Sequence, residues 1–212
     1  PWSLQITWAK RFFLNRSFAL LAPTGIGKTS FGLSIASYLA NKGKKSYIIL
    51  PTRLLVNQTV KKLEYVFKIK EEQILFFGDD SKKEKEEKLE KLKNGDFSIL
   101  ITTSMFLYKN HDKIPKNFSL VFVDDVDSFL KTAKNIDKAL YLLGFDEKDI
   151  NLALETIRLK AKQNKTDEDW IKINELAEKV KKIETKRKGV LIVSSATSNP
   201  KSNRIKLFRE LL

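Results

Sequence analysis

The chain has 212 residues, 42% hydrophobic and 31% charged, which suits one sizeable buried core and excludes a disordered chain. Its 40 basic residues outweigh 26 acidic ones, and the formal net charge of +14 favours a polyanionic partner, nucleic acid first, over a merely Lys-rich surface kept for solubility. With no cysteine, disulfides and cysteine zinc sites are excluded within these residues; no apolar run approaches the ~20 residues of a membrane span and no signal peptide is visible, so a cytoplasmic protein is expected. Abundant Lys, Glu and Ile with a single Met point toward a thermophilic source.

In chain order, a helix is expected over residues 3–14 and a first short apolar strand over 18–22. A helix at 28–41 follows, with Phe31, Ile35 and Leu39 at helical spacing and facing a sheet. Strand 46–50, helix 54–67, strand 74–77 and helix 82–93 continue the alternation, the last helix reading as a solvated face of mixed charge. Strand 97–101, helix 104–108, strand 120–123 and strand 190–194 complete the set. Near-continuous apolar strands alternating with helices predict an α/β fold, a parallel sheet buried on both faces and flanked by helices on both sides.

Residues 128–188 break the rhythm, with no convincing strand. Ile150, Leu154, Ile157 and Ala161 recur at helical spacing, as do Trp170, Ile173, Ala177 and Val180. A helical hairpin turning at residues 164–169 satisfies both patterns, with Trp170 as its packing anchor. The segment carries 15 basic and 11 acidic residues, so most of the positive surplus lies elsewhere. It is expected to be a helical insert, structural or partner-docking, within a single domain spanning 1–212; direct contact with DNA is the other reading.

Chemistry concentrates at strand ends. Ala22-Pro23-Thr24-Gly25-Ile26-Gly27-Lys28-Thr29 follows a strand and opens a helix, the context a phosphate-binding loop requires. Glycines let backbone N–H groups converge on phosphate oxygens. Lys28 is placed to neutralise the β- and γ-phosphates of ATP, and Thr29 to offer its hydroxyl to magnesium. Val121-Phe122-Val123-Asp124-Asp125-Val126-Asp127 ends another strand in carboxylates, which suits Asp124 for magnesium and Asp125 for orienting and deprotonating water; a helix cap is the bland alternative. Ser194-Ser195-Ala196-Thr197 closes a third strand, with Ser195 and Thr197 expected to relay to Asp127. His111, the single histidine, reads as incidental.

Taken in order, the loop, Pro51-Thr52-Arg53, Thr102-Thr103-Ser104, Asp124 to Asp127 and Ser195 to Thr197 resemble the superfamily 2 helicases. Pro1-Trp2-Ser3-Leu4-Gln5 looks like their adenine-reading motif, which puts Gln5 on the base with Trp2 and Trp8 stacking or supporting it. Trp2 to Gln5 followed by Thr7 to Arg11, Phe122 to Asp127, Lys134-Asn135-Ile136-Asp137 and Leu142-Leu143-Gly144-Phe145 are similar to the reverse gyrase family, across essentially the whole chain. The resemblance implies a thermophilic archaeal source. It also implies the first RecA-like domain of that family's helicase-like half, which uses ATP and magnesium to introduce positive supercoils into DNA. The ATP-binding set it carries over is Gln5, Thr24, Gly25, Ile26, Gly27, Lys28 and Thr29. Nucleic-acid contacts fall on Pro51, Thr52, Arg53, Gly78, Thr102, Thr103 and Ser104, where loop amides and hydroxyls after strands meet phosphates.

Two departures matter. Most of the superfamily carries Glu where this chain has Asp125, one methylene shorter. The family's zinc finger, second RecA-like domain and topoisomerase half have no counterpart among these residues, nor do its arginine fingers and DNA-cleaving tyrosine. The chain is therefore expected to act as a monomer that binds nucleotide and hydrolyses it slowly, in need of those missing partners. A nucleotide- and DNA-binding module without turnover, or an RNA helicase ATPase domain, are the alternatives.

Overall fold

The computed structural model describes residues 3–130, 134–195, 206–207 and 211–212. Strands β1 (Phe18–Leu21), β2 (Ser46–Leu50), β3 (Ile74–Phe76), β4 (Ile99–Thr103), β5 (Leu120–Val123) and β6 (Val190–Ser195) form one sheet in the order β1-β6-β5-β2-β4-β3. Every neighbouring pair is parallel. Between them run α1 (Ser3–Phe13), α2 (Lys28–Asn41), α3 (Arg53–Tyr65), α4 (Lys82–Asn94), α5 (Ser104–Asn110), α6 (Val126–Leu130), α7 (Lys134–Leu142), α8 (Glu147–Ala161) and α9 (Asp167–Glu184).

Side-chain alternation along the strands divides the interior into two layers. Ile48 and Leu50 of β2, Leu120 and Phe122 of β5 and Ile192 of β6 face one side, where Trp8 and Phe12 of α1, Phe31 and Ile35 of α2 and Val56 and Leu63 of α3 cover them. Tyr47 and Ile49, Val121 and Val123, and Leu191 and Val193 face the other, under Leu92 of α4, Leu107 of α5, Phe129 of α6, Leu140 of α7 and Ile157 of α8. The expected parallel sheet with helices on both faces is what the chain forms, with all six strands where the apolar runs lie.

Three local readings need correction. β4 begins and ends two residues later than expected, because Gly95 closes α4 in the left-handed region at φ 75° and residues 96–98 complete the turn. β1 has one neighbour, so its burial is one-sided, and Leu21 is 53% exposed where burial on both faces was expected. In the 128–188 segment, α6 and α7 precede the hairpin, and the turn falls at residues 162–166, ahead of Thr166, which caps α9 through a bond from the Asp169 amide.

The hairpin helices bury part of each expected stripe, Ile150 and Ile157 of α8 and Ile173 and Val180 of α9, with Ala153 and Leu176 added, whereas Ala161 is exposed. Trp170 is not an anchor: it is 54% exposed, with the Lys165 ammonium 5.3 Å from its ring centroid. Its position in the first turn of α9 lies beyond the zone where α8 and α9 meet the sheet's core.

Gly32 sets how closely α2 approaches the sheet. A Cβ there would lie 2.7 Å from ring atoms of the fully buried Phe122. Replacing a helical glycine by alanine gains about 1 kcal/mol of propensity, but forcing a methyl onto a rigid buried ring costs about 1–3 kcal/mol. Gly32→Ala is therefore expected to lower stability by about 1 kcal/mol in denaturant titration, against the gain that helix propensity alone would give.

Candidate functional site

Because every strand runs the same way, all six carboxyl ends lie on one edge of the sheet, the edge where open α/β folds bind ligands. Strand order then sorts the motifs. The loop after β1, the serines of β6 and the carboxylates after β5 are neighbours, while the segments after β2, β4 and β3 form the other half of the edge.

In the first half, Gly25 and Gly27 take φ of 84° and 91°, left-handed values at which side chains are strained. Gly27 caps α2 without a side-chain hydrogen bond, whereas Thr52, Ser81, Thr103, Asp146 and Thr166 each cap their helices through a side-chain oxygen. The leading amides of α2 are thus left to accept an anion, with the helix dipole in support. Lys28 is buried, and its Nζ donates to the carbonyl oxygens of Ala22 at 2.5 Å and Pro23 at 2.8 Å, which holds the cation inside the loop. Thr24 and Ile26 complete the loop, and the Ile26 carbonyl accepts from Gln5 Nε2 at 3.1 Å.

Asp124, just after β5, joins the start of α2 to the end of β6. Thr29 Oγ1 donates to its Oδ2 at 2.6 Å and Ser194 Oγ donates to its Oδ1 at 2.8 Å. Ser195 Oγ donates to Asp127 Oδ2 at 2.8 Å. Successive residues of β6 point to opposite faces, so Ser194 turns toward the α2 layer and Ser195 toward the α6 layer. Ser194 was missed as a site residue; the signal was its alternation with Ser195 beside a strand ending in carboxylates. Thr197, expected beside Ser195, lies outside the described residues.

The donor set fits magnesium. A hydroxyl and a carboxylate oxygen 2.6 Å apart offer two hard ligands, and magnesium takes the remainder from water and phosphate. Asp125 holds φ at 60°, a left-handed conformation that Asp tolerates better than most residues, and its Oδ1 accepts from the Ser128 amide at 3.4 Å.

Trp8 is not available to stack on a base. It is 4% exposed and packs edge-on to Phe31 at 5.4 Å between ring centroids, so it fixes α1 on α2. Trp2 lies outside the described residues. Gln5 instead borders an apolar groove of about 770 Å³ between α1 and α2, walled by Ile6, Ala9, Phe13 and Phe31.

In the second half, Pro51, Thr52, Arg53, Gly78 and Thr103 line a smaller cavity of about 340 Å³. Thr52 and Thr103 accept from the amides of Leu55 and Phe106 as helix caps, and each hydroxyl keeps its own proton to donate outward. Cap and phosphate contact are compatible. Ser104 is partly exposed at the start of α5. Arg53 pairs with Asp79 at 3.2 Å, both largely exposed.

Two residues depart from the expectation. Thr102 lies inside β4, fully buried, its hydroxyl 2.7 Å from the Tyr47 hydroxyl, so it has no free face for a phosphate. Burial pushes the Tyr47 phenol above its ordinary pKa, against the smaller pull of Thr102, and keeps that pair neutral. Gly78 makes room for a side chain of the same domain: a Cβ there would come within 2.4 Å of Asn57 Oδ1 of α3. His111 ends α5 with Nδ1 buried and unpartnered among the described residues; burial, then Lys138, lowers its pKa and favours the neutral ring.

A sequence profile of DEAD/DEAH box helicases matches residues 3–154, well over half of the chain. The chain belongs to the DEAD/DEAH box helicase family. Over its full 212 residues this helicase domain is 63% identical to reverse gyrase 1 of Aquifex aeolicus, of which it covers 18%. It is 48% identical to reverse gyrase of Pyrococcus horikoshii over an alignment of 228 residues, covering all of this chain and 14% of that one. The helicase domain therefore spans less than a fifth of the length of these curated relatives. Its fold is shared with a hypothetical ATP-dependent RNA helicase from Sulfolobus tokodaii, at a TM-score of 0.61 and 17% identity, over 99% of this chain and 49% of that one. The RecA-like helicase fold and the homology to the helicase-like region of reverse gyrases are thus shown.

Lys28 gives the most direct test of the first half of the site. A lost charge-assisted contact to phosphate is worth about 1.5–3 kcal/mol, so Lys28→Ala should weaken ATP binding by about 10- to 100-fold or more while the melting curve stays cooperative. Titration with a fluorescent nucleotide measures this, and unchanged affinity would remove the phosphate assignment.

Proposed function

We propose that this domain binds ATP with magnesium at the β1-β6-β5 end of the edge and couples that site to DNA held along the β2-β4-β3 end. It does so as the first RecA-like domain of the helicase-like half of a reverse gyrase, a DNA topoisomerase that introduces positive supercoils. The observation that carries the reading is the bond from Thr29 to Asp124, which joins the loop's hydroxyl to the carboxylate after β5. A structural cap would not need a hydroxyl, a carboxylate and a buried lysine on one loop and one strand end.

Each residue then has a role. The amides of Thr24, Gly25, Ile26 and Gly27 cradle phosphate oxygens, and Lys28 exchanges its loop carbonyls for the β- and γ-phosphates. Thr29 and Asp124 would hold the magnesium, and Ser194 keeps the Asp124 carboxylate turned toward it. Magnesium, when bound, neutralises charge on the phosphate oxygens. Asp125 orients the attacking water and takes its proton. Gln5 contacts the adenine while bonded to the loop at Ile26. The Ser195–Asp127 bond couples β6 to α6. Pro51, Thr52, Arg53, Thr103 and Ser104 position DNA phosphates.

The site as it stands is one wall. Lys28 donates to carbonyls and Asp124 accepts from hydroxyls, and neither has an arginine as hydrogen-bond partner among the described residues. The second RecA-like domain and the topoisomerase half of the same polypeptide complete the machine. A monomeric domain working on DNA in the cytoplasm fits a chain in which, among the described residues, no helix is long and apolar enough to cross a membrane.

An arginine supplied from a partner raises turnover of such sites by about 10³- to 10⁵-fold. The domain alone should therefore hydrolyse ATP slower by about that factor than a chain extended through the second RecA-like domain, with less than about twofold stimulation by DNA. Steady-state phosphate release from both, with and without DNA, measures it; equal turnover would mean the site is complete in this domain. Preference for RNA over DNA in salt-matched titrations would favour the RNA helicase reading instead.

A further inference from the structure

Two cations that the roles above leave unused border the nucleic-acid half of the edge. Lys85 of α4 and Lys109 of α5 line the same cavity of about 340 Å³ as Thr52, Arg53, Gly78 and Thr103. Both are exposed, and neither has an ion-pair or hydrogen-bond partner for its ammonium among the described residues. They come from helices that leave different strands, so only the folded sheet brings them to one cavity.

Lys85 also breaks a local rule. α4 opens Lys82-Lys83-Glu84-Lys85, placing three cations where the helix dipole is positive and anions are preferred. α3 likewise opens on Arg53, with no acidic residue in its first turn. The acid that lines the cavity, Asp80, is already engaged, accepting from the Gly78 amide at 3.0 Å and pairing with Lys88. Arg53 is shared with Asp79 in a solvated pair that a phosphate can displace. What remains is uncompensated positive charge facing a polar cavity, and a local cost of this kind tends to mark a functional surface.

We infer that Lys85 and Lys109 position a DNA phosphate over this cavity, extending the strand's track from the loops after β2 and β4 onto α4 and α5. The inference rests on the DNA reading above. Contacts of this type fix register without reading sequence, so the subsite is expected to be indifferent to base identity.

The test is fluorescence anisotropy of the 212-residue chain with a labelled single-stranded DNA oligonucleotide, titrated at several salt concentrations. Each phosphate contact contributes about 0.7 to the slope of log affinity against log salt for single strands. Lys85→Ala/Lys109→Ala should therefore lower the slope by about 1.4 and the affinity at ~0.1 M salt by about 25-fold. Lys91→Ala/Lys93→Ala removes the same charge from the other end of α4, outside the cavity, and should leave the slope unchanged. If wild type binds DNA and the two double variants behave alike, the subsite is overturned while the DNA reading stands. If wild type does not bind DNA, both fall together. A loss seen with RNA and not with DNA would overturn the assignment to DNA.

Discussion

The carboxylate of Asp124 is the point on which the candidate site depends. It ends β5, and its two oxygens accept from Thr29 at the start of α2 and from Ser194 at the end of β6. Three segments far apart in the chain are tied at one group. Buried or half-buried carboxylates are expensive without partners, and here both oxygens are satisfied by hydroxyls that stay neutral. Neutral donors leave the negative charge in place to meet a cation, which an arginine or lysine in the same position would cancel.

That tie holds only if α2 reaches the sheet. Gly32, one turn beyond Thr29, lies against Phe122, two residues before Asp124 on β5. The close approach that a missing side chain allows is therefore also the approach that places hydroxyl and carboxylate 2.6 Å apart. Packing and chemistry share the same few residues. The parallel register then does the rest: with all carboxyl ends on one edge and β5 between β6 and β2, the half proposed to hold nucleotide and the half proposed to hold DNA meet side by side. A change at one can reach the other through the ends of adjacent strands.

The strands and the phosphate loop were legible because their signals are local. A short apolar run followed by Gly25-Ile26-Gly27-Lys28-Thr29 carries its own context, and so does an apolar strand ending in Asp124. What sequence did not reveal depends on three-dimensional neighbours. Thr102 reads as a loop hydroxyl until Tyr47 takes it inside the sheet, and Gly78 as an opening for a ligand until Asn57 fills it. Trp170 has the right spacing for a packing anchor, yet the spacing that put Ile173 and Val180 on the buried stripe of α9 could not say that Leu176 joins them and Trp170 does not. Of the two roles expected for Trp8, stacking on a base or supporting Gln5, burial against Phe31 removes the first. Lys85 and Lys109 are ordinary surface lysines in sequence; their shared cavity exists only in the fold.

The role proposed for Asp124 and Thr29 is to form a metal-dependent phosphate site. The most direct measurement is ATP affinity by calorimetry, with and without magnesium, for wild type and for Asp124→Asn, which keeps the shape and an acceptor for Thr29 but removes the charge. Magnesium should tighten ATP binding to wild type by about tenfold or more, and that gain should vanish in Asp124→Asn while metal-free affinity stays within about threefold. An equal magnesium gain in both proteins would contradict the account.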